Sequence, residues 1–108
     1  MGEENQLRLK KQLCFLSEAM LHLKTLDEYQ SFLKDILTNQ EIKMLAQRLR
    51  VAILLSEGNT FDTISDKTGV SSVTIERVKQ SLLYGEDGYK VIIERMKGNS
   101  TKGATHDL

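Results

Sequence analysis

The polar residues with the most informative spacing lie in residues 71–80, SSVTIERVKQ. Hydroxyl, carboxylate, guanidinium and amide side chains alternate there with the apolar residues Ile75 and Val78, at the spacing of an amphipathic helix. A helix with such groups on its outer face can hydrogen-bond to the base edges and phosphates of duplex DNA. The segment is therefore predicted to form a surface that reads DNA.

The neighbouring residues provide the turn that such a helix requires. Residues 60–82 read as two short helices, with Gly69 in the left-handed position that ends the first and Val70 as an apolar plug between them. Ser71 is predicted to cap the second helix, which begins near Ser72. This arrangement is typical of a helix-turn-helix, whose second helix enters the major groove. Plain αα-hairpins that bind nothing share the pattern, so that alternative stays open.

The two sides of the second helix are predicted to have different roles. The apolar residues expected to pack between the helices are Phe61, Ile64, Ile75, Val78 and Leu82. The side chains expected near base edges are Ser72, Val73, Thr74, Glu76 and Gln80. Those expected to contact the phosphate backbone are Lys67, Ser71, Arg77 and Lys79. Among the base-reading residues, Val73 is suited to a thymine methyl group and Glu76 to a cytosine amino group.

The charge balance of the chain does not support DNA binding. Lys and Arg number 15 and Asp and Glu number 15, so the formal net charge is zero. This balance excludes the highly basic class of sequence-indifferent nucleic-acid binders. A two-fold dimer would still gather basic side chains of both protomers on one surface. The alternative function is a helical dimeric protein-interaction module whose hairpin is a relic that does not bind DNA.

Length and composition predict a single all-helical domain. A chain of 108 residues forms one domain, and the absence of proline favours long uninterrupted helices. Six helices are predicted within residues 1–97, the DNA-binding domain, and residues 98–108 are predicted to be a disordered polar tail. The first helix, from Asn5 to about Lys24, is apolar around much of its circumference. This breadth indicates that a partner chain covers a second side of the helix.

Local signals mark the starts and ends of other helices. Capping boxes at Thr25–Glu28 and Thr38–Glu41 predict two helix starts. Gly58 is expected to end the second of these helices. A last helix is predicted from Tyr89 to Lys97.

No residue cluster indicates catalysis, and the chain is predicted not to be an enzyme. His22 and His106 have no nucleophile placed beside them by spacing, and no His, Cys or carboxylate cluster has the spacing of a metal site. No cofactor is expected.

The lone Cys14 excludes an internal disulfide, and no segment has the pattern of a secretion signal or a membrane span. The cytoplasm is therefore the expected location.

A further set of features lies in residues 36–82. It comprises the Leu37-Thr38 start of a helix, the Arg48-Leu49-Arg50 step, Gly58 and the GVSSVTIERVKQSL block at residues 69–82. Together these features resemble the Trp repressor family, most closely its uncharacterised Trp-repressor-related (YerC/YecD) branch, and the match extends in outline to nearly the whole chain. The resemblance implies a six-helix, intertwined homodimer. It also implies a sequence-specific transcriptional regulator of the repressor type, which binds a palindromic operator with half-sites about one helical turn apart.

The resemblance further implies a small pocket beside the hairpin, which in the Trp repressor holds tryptophan between two arginines. The positions that match the pocket are Leu37, Thr38, Arg48, Arg77 and Ser81. Where the tryptophan binders keep a glycine, this chain has Val78, whose branched side chain would occupy the space of the ligand. We therefore expect no tryptophan binding and a hairpin that needs no corepressor. Arg48 and Arg77 are then expected to contact phosphates or surface carboxylates, and no other effector is identified.

Overall fold

The computed structural model describes residues 2–98, which form six α-helices and no strand. The helices are α1 Gly2–Met20, α2 Leu26–Ile36, α3 Asn39–Ser56, α4 Phe61–Thr68, α5 Ser72–Tyr84 and α6 Gly88–Gly98. The predicted all-helical class and the number of helices are confirmed. The predicted polar tail lies outside the described residues, apart from Gly98, which ends α6.

The chain divides into two compact units, Met1–Asn39 and Gln40–Leu108, and the division falls at the start of α3. The first unit contains α1 and α2, and the second contains the remaining helices. The organisation of residues 1–97 as a single domain remains a prediction.

In the first unit, α1 ends at Met20, earlier than the predicted Lys24. The amide of His22 donates to the carbonyl oxygen of Ala19 at 3.1 Å, and the amide of Leu23 donates to that of Met20 at 3.1 Å. These bonds span three residues, whereas those of an α-helix span four, so the chain tightens into a turn and α1 ends there. No residue of α1 or α2 is buried, although α1 carries the apolar residues from which contact with a partner chain is predicted.

The start of α2 follows the predicted capping box with one change. The hydroxyl of Thr25 accepts a hydrogen bond from the Glu28 amide at 3.1 Å. The Glu28 carboxylate accepts in return from the Lys24 amide at 2.7 Å, rather than from the amide of Thr25 itself. The first bond satisfies an amide that a helix start would otherwise leave without a partner, and the second ties the Glu28 side chain to the residue before the cap.

The second unit has one apolar core, to which α3, α4, α5 and α6 all contribute. Its buried residues are Val51, Ala52, Leu54, Ile64, Val70, Ile75, Val78 and Ile93. Val51, Ile64 and Ile75 are the largest side chains that are fully enclosed. Each fully buried aliphatic side chain contributes about 1.5–3 kcal/mol to folding. Because α5 supplies two of these residues and contacts both α4 and α6, the core holds it firmly in place.

Both helices of the α4–α5 hairpin begin at a capping side chain, and Gly69 ends α4 at the turn between them. Thr60 accepts from the Thr63 amide at 3.2 Å and begins α4. Gly69 ends this helix with a φ of 73°, and its amide donates to the carbonyl oxygen of Ser65 at 2.8 Å. Ser71 begins α5, as predicted, by accepting from the Thr74 amide at 3.3 Å.

Side chains of α4 also bind the backbone of the turn. The Val70 amide donates to the hydroxyl of Thr68 at 3.2 Å. The Val70 carbonyl oxygen accepts from the hydroxyl of Ser65 at 3.0 Å. The Val70 side chain is buried, so its two backbone groups, which the core would otherwise leave poorly solvated, both have partners.

Gly69→Ala is expected to lower the free energy of unfolding by about 1–2 kcal/mol, because a residue with a Cβ is disfavoured at positive φ. A Cβ at Gly69 would meet no heavy atom within 4 Å, so the loss comes from backbone conformation alone. Gly88→Ala is the matched control, since Gly88 also has open space but no positive φ, and it should be neutral or slightly stabilising. Urea unfolding compares the two variants, and equal losses would contradict this explanation.

Candidate nucleic-acid interface

The outer face of α5 consists of exposed side chains, which are Ser72, Val73, Glu76, Arg77 and Gln80. Val73 is 63% exposed, a large fraction for an apolar residue so close to a core. Val73, Glu76 and Gln80 follow one another at steps of three and four residues, so they lie on one side of the helix. Ser72 lies four residues before Glu76, so the structure brings four of the five predicted base-reading residues onto one continuous surface.

The inner face of the hairpin has the composition that the sequence predicts. Ile64, Ile75 and Val78 are buried in the core. Phe61 and Leu82 are partly buried and pack against it. Burial of one side of α5 explains why its other side is presented to solvent in a fixed orientation.

Four other residues predicted to contact DNA differ in their solvent exposure. Lys67 and Ser71 are exposed, whereas Thr74 and Lys79 are half-buried. The hydroxyl of Ser71 donates to the hydroxyl of Thr74 at 3.3 Å, in addition to capping the helix. Thr74 thus lies behind the outermost surface of α5, beside the cap.

The ammonium group of Lys79 lies 5.5 Å from the centre of the Phe61 ring. A cation over an aromatic face at this distance gains about 0.5–1 kcal/mol at an exposed site. Because Phe61 begins α4, the contact ties α5 to α4 as well as orienting the lysine. The sequence did not reveal this role, since it depends on how the two helices pack.

An open groove of about 240 Å³ lies on another side of α5. Its lining residues are Arg48, Thr74, Arg77, Val78, Ser81 and Tyr89. Four of the six predicted pocket residues are therefore brought together. Leu37 and Thr38, the other two, belong to the unit that precedes α3. Thr74 and Tyr89 were not expected in the pocket.

Val78 is 3% exposed, so almost all of its side chain faces the core, as predicted. The groove nevertheless remains open beside it, with the two arginines on its walls. Thr74 precedes Arg77 and Val78 by three and four residues, and this helical spacing is the signal that places it in the groove. Tyr89 has no such signal, because its position depends on how α6 packs on α5.

Residues 2–98 contain neither a candidate metal site nor a candidate membrane span. In this range no group of three or more His, Cys, Asp and Glu side chains is arranged to hold a metal ion. Across the same residues, every helix is too short or too polar to cross a membrane.

The chain is similar to several known proteins. The family model described as Trp repressor protein matches residues 11–97. The uncharacterized protein YerC of Bacillus subtilis (strain 168) is 44% identical over 95 residues, which cover 88% of this chain and 91% of that protein. A crystal structure of a TrpR-like protein from Eubacterium eligens has 45% identity and a TM-score of 0.76, covering 81% of this chain and 90% of that one. A candidate Trp repressor from Staphylococcus aureus has 41% identity and a TM-score of 0.75, covering 81% and 87%.

Proposed function

The chain belongs to the Trp repressor family, and from this premise we propose that it is a sequence-specific DNA-binding transcriptional regulator of the repressor type. The observation that carries the proposal is the α4–α5 hairpin, whose inner face is held in the core while its polar outer face is exposed. The proposal assigns no enzymatic activity and no cofactor, and it places the regulator in the cytoplasm.

In this proposal some residues of the α4–α5 hairpin bind phosphates and others lie near base edges. Ser71 and the positive end of the helix dipole bind a phosphate, since helix N-termini favour anions. Lys67, Arg77 and Lys79 bind further phosphates and set the register of the protein on the duplex. The side chains placed near base edges are Ser72, Val73, Thr74, Glu76 and Gln80.

The proposed regulator acts as a homodimer. Exposed apolar side chains on one side of α1 support this part of the proposal, since Leu9, Leu13 and Leu16, at steps of four and three residues, are 64%, 61% and 38% exposed in the single chain. Contiguous apolar surface of this kind is typical of a face that packs on another chain. A two-fold dimer presents two copies of α5 to one duplex, so its operator is palindromic, with half-sites about one helical turn apart.

Titration with random duplex DNA at low salt, followed by selection of bound sequences, tests the proposal. We expect measurable affinity in the titration and enrichment of a palindromic motif. Enrichment of single, non-symmetric motifs would contradict the dimeric mode of binding. Absence of any affinity for the duplex would overturn the proposed function.

The zero net charge favours a second candidate function, a helical dimeric protein-interaction module with a relic hairpin. Such a module lacks the clustered positive charge that attracts DNA phosphates. The same titration separates the candidates, because a relic hairpin would give no salt-sensitive binding to the duplex.

The proposed regulator does not use tryptophan as a corepressor, because Val78, which lines the groove beside Arg48 and Arg77, stands where the tryptophan binders keep the glycine that leaves room for the indole. In calorimetry we expect no saturable heat with tryptophan at concentrations up to about 1 mM. Low-micromolar uptake by the unmodified protein would falsify this. Val78→Gly is the companion variant, and tryptophan binding by this variant alone would identify the valine side chain as the barrier.

A further inference from the structure

Glu76 and Gln80 form a hydrogen-bonded pair on the outer face of α5. Nε2 of Gln80 donates to Oε1 of Glu76 at 2.9 Å, and both residues are exposed. They are one helical turn apart, which is the separation at which side chains on a helix meet. The pair lies on the same side of the helix as Val73 and so within the surface proposed to enter the major groove.

The hydrogen bond decides which way the Gln80 amide faces. A free glutamine side chain can exchange the places of its oxygen and nitrogen by a half-turn. The Glu76 carboxylate only accepts hydrogen bonds, so it attracts the amide nitrogen and leaves the amide oxygen turned away from it. Gln80 then offers one acceptor, Oε1, and one remaining N–H donor, both on its outward side.

That combination of groups matches one base in the major groove. Adenine presents an acceptor at N7 and an amino donor at N6, which pair with the N–H and the oxygen of a glutamine amide. Guanine presents two acceptors at the same edge, and the remaining N–H of Gln80 can bond to only one of them, which leaves the other facing the Gln80 oxygen. The oriented amide therefore accepts adenine and disfavours guanine.

We infer that Gln80 reads an adenine in each half-site and that Glu76 is the positioning residue that holds its amide in the reading orientation. This inference rests on the proposed function, since it names the base that the same surface recognises. Exclusion of water from the protein–DNA interface strengthens the Glu76–Gln80 hydrogen bond relative to its strength in the free protein. The pair thus acts as a unit, and Glu76 affects a base that it does not itself contact.

Selection of bound sequences from randomised duplexes tests the inference, with the unmodified protein, Gln80→Ala, Glu76→Ala and the double variant. The unmodified protein should prefer adenine at one position of each half-site by about 5-fold to 100-fold over the least favoured base. Gln80→Ala should abolish the preference at that position alone. Glu76→Ala should weaken it at the same position and admit guanine, and the double variant should resemble Gln80→Ala, because the two residues act together.

Two further variants complete the test. Glu76→Gln keeps an acceptor oxygen at the same distance and should restore part of the adenine preference that Glu76→Ala loses. Lys67→Ala is the control for weaker binding, since loss of a phosphate contact should lower affinity for all sequences without changing the preferred bases. All substituted residues are exposed, so the fold should be unaffected, and thermal unfolding checks this.

The possible failures can be told apart. If Glu76→Ala changes a different position from Gln80→Ala, Glu76 contacts its own base and the positioning role is wrong. If Gln80→Ala changes no position, Gln80 reads no base and the inference is overturned while the proposed function stands. If the unmodified protein binds no duplex at all, both the proposed function and this inference are overturned.

Discussion

Raising the salt concentration from about 50 mM to about 200 mM is expected to weaken the binding of duplex DNA about a thousandfold. Three cations of each protomer, Lys67, Arg77 and Lys79, are proposed to bind phosphates, which makes about six contacts in a dimer. Each contact releases a counterion from the DNA, and the logarithm of the affinity falls by about 0.9 per contact for each tenfold rise in salt. Titrations at several salt concentrations measure the slope of the logarithm of the affinity against the logarithm of the salt concentration.

Lys67→Ala makes this prediction specific to the hairpin. The substitution removes a contact from each protomer, so the slope should become shallower by about two units. The loss over the same salt interval should then be about a hundredfold. Lys90→Ala is the matched control, because it removes the same charge from α6, where the ammonium group lies 3.4 Å from the Asp87 carboxylate. A slope that Lys90→Ala changes as much as Lys67→Ala does would contradict the assigned phosphate contacts.

Ile75→Ala should lower the free energy of unfolding by about 2–5 kcal/mol, because it leaves a cavity in a core that encloses the side chain completely. The Ile75 side chain is 0% exposed. Such a loss is a large part of the total of about 5–15 kcal/mol that stabilises an ordinary domain. Urea unfolding at a fixed protein concentration measures it, since the stability of a dimer depends on the concentration of its protomers.

Val73→Ala is the matched control for this measurement. Val73 lies on the same helix, two residues before Ile75, but 63% of its surface is exposed. Its truncation should change the free energy of unfolding by no more than about 0.5 kcal/mol. Comparable losses in the two variants would show that α5 does not have the buried and exposed faces described above.

Helix caps account for the parts of the fold that the sequence predicts well. Thr25, Ser71 and Gly69 act on amides and carbonyls within a few residues of themselves, so their effect can be read locally. The end of α1 has no such marker, because no glycine or proline follows Met20 closely. It ends instead in a backbone turn, and the periodicity of its apolar residues predicted a longer helix.

In the candidate site, too, the features that depend on local sequence were predicted and those that depend on the packing of several helices were not. The two faces of α5 follow from helical spacing, which is why Val78 is found in the core as predicted. The resemblance predicted four residues of the groove, Arg48, Arg77, Val78 and Ser81, whereas the volume of the groove depends on how α3, α5 and α6 pack together and was not predictable. Tyr89 reaches that groove from α6, and no pattern in its neighbours links it to Arg48 or Arg77.

The hydrogen bonds at Val70 have a consequence for the proposed binding of DNA. With its amide and its carbonyl oxygen both bonded to side chains of α4, the turn cannot open without losing those two bonds. A loose hairpin would give up conformational entropy when it was ordered on a duplex, and that loss would subtract from the affinity. Here the chain has already lost this entropy on folding, so α4 and α5 form a single preorganised body for the proposed binding in the major groove.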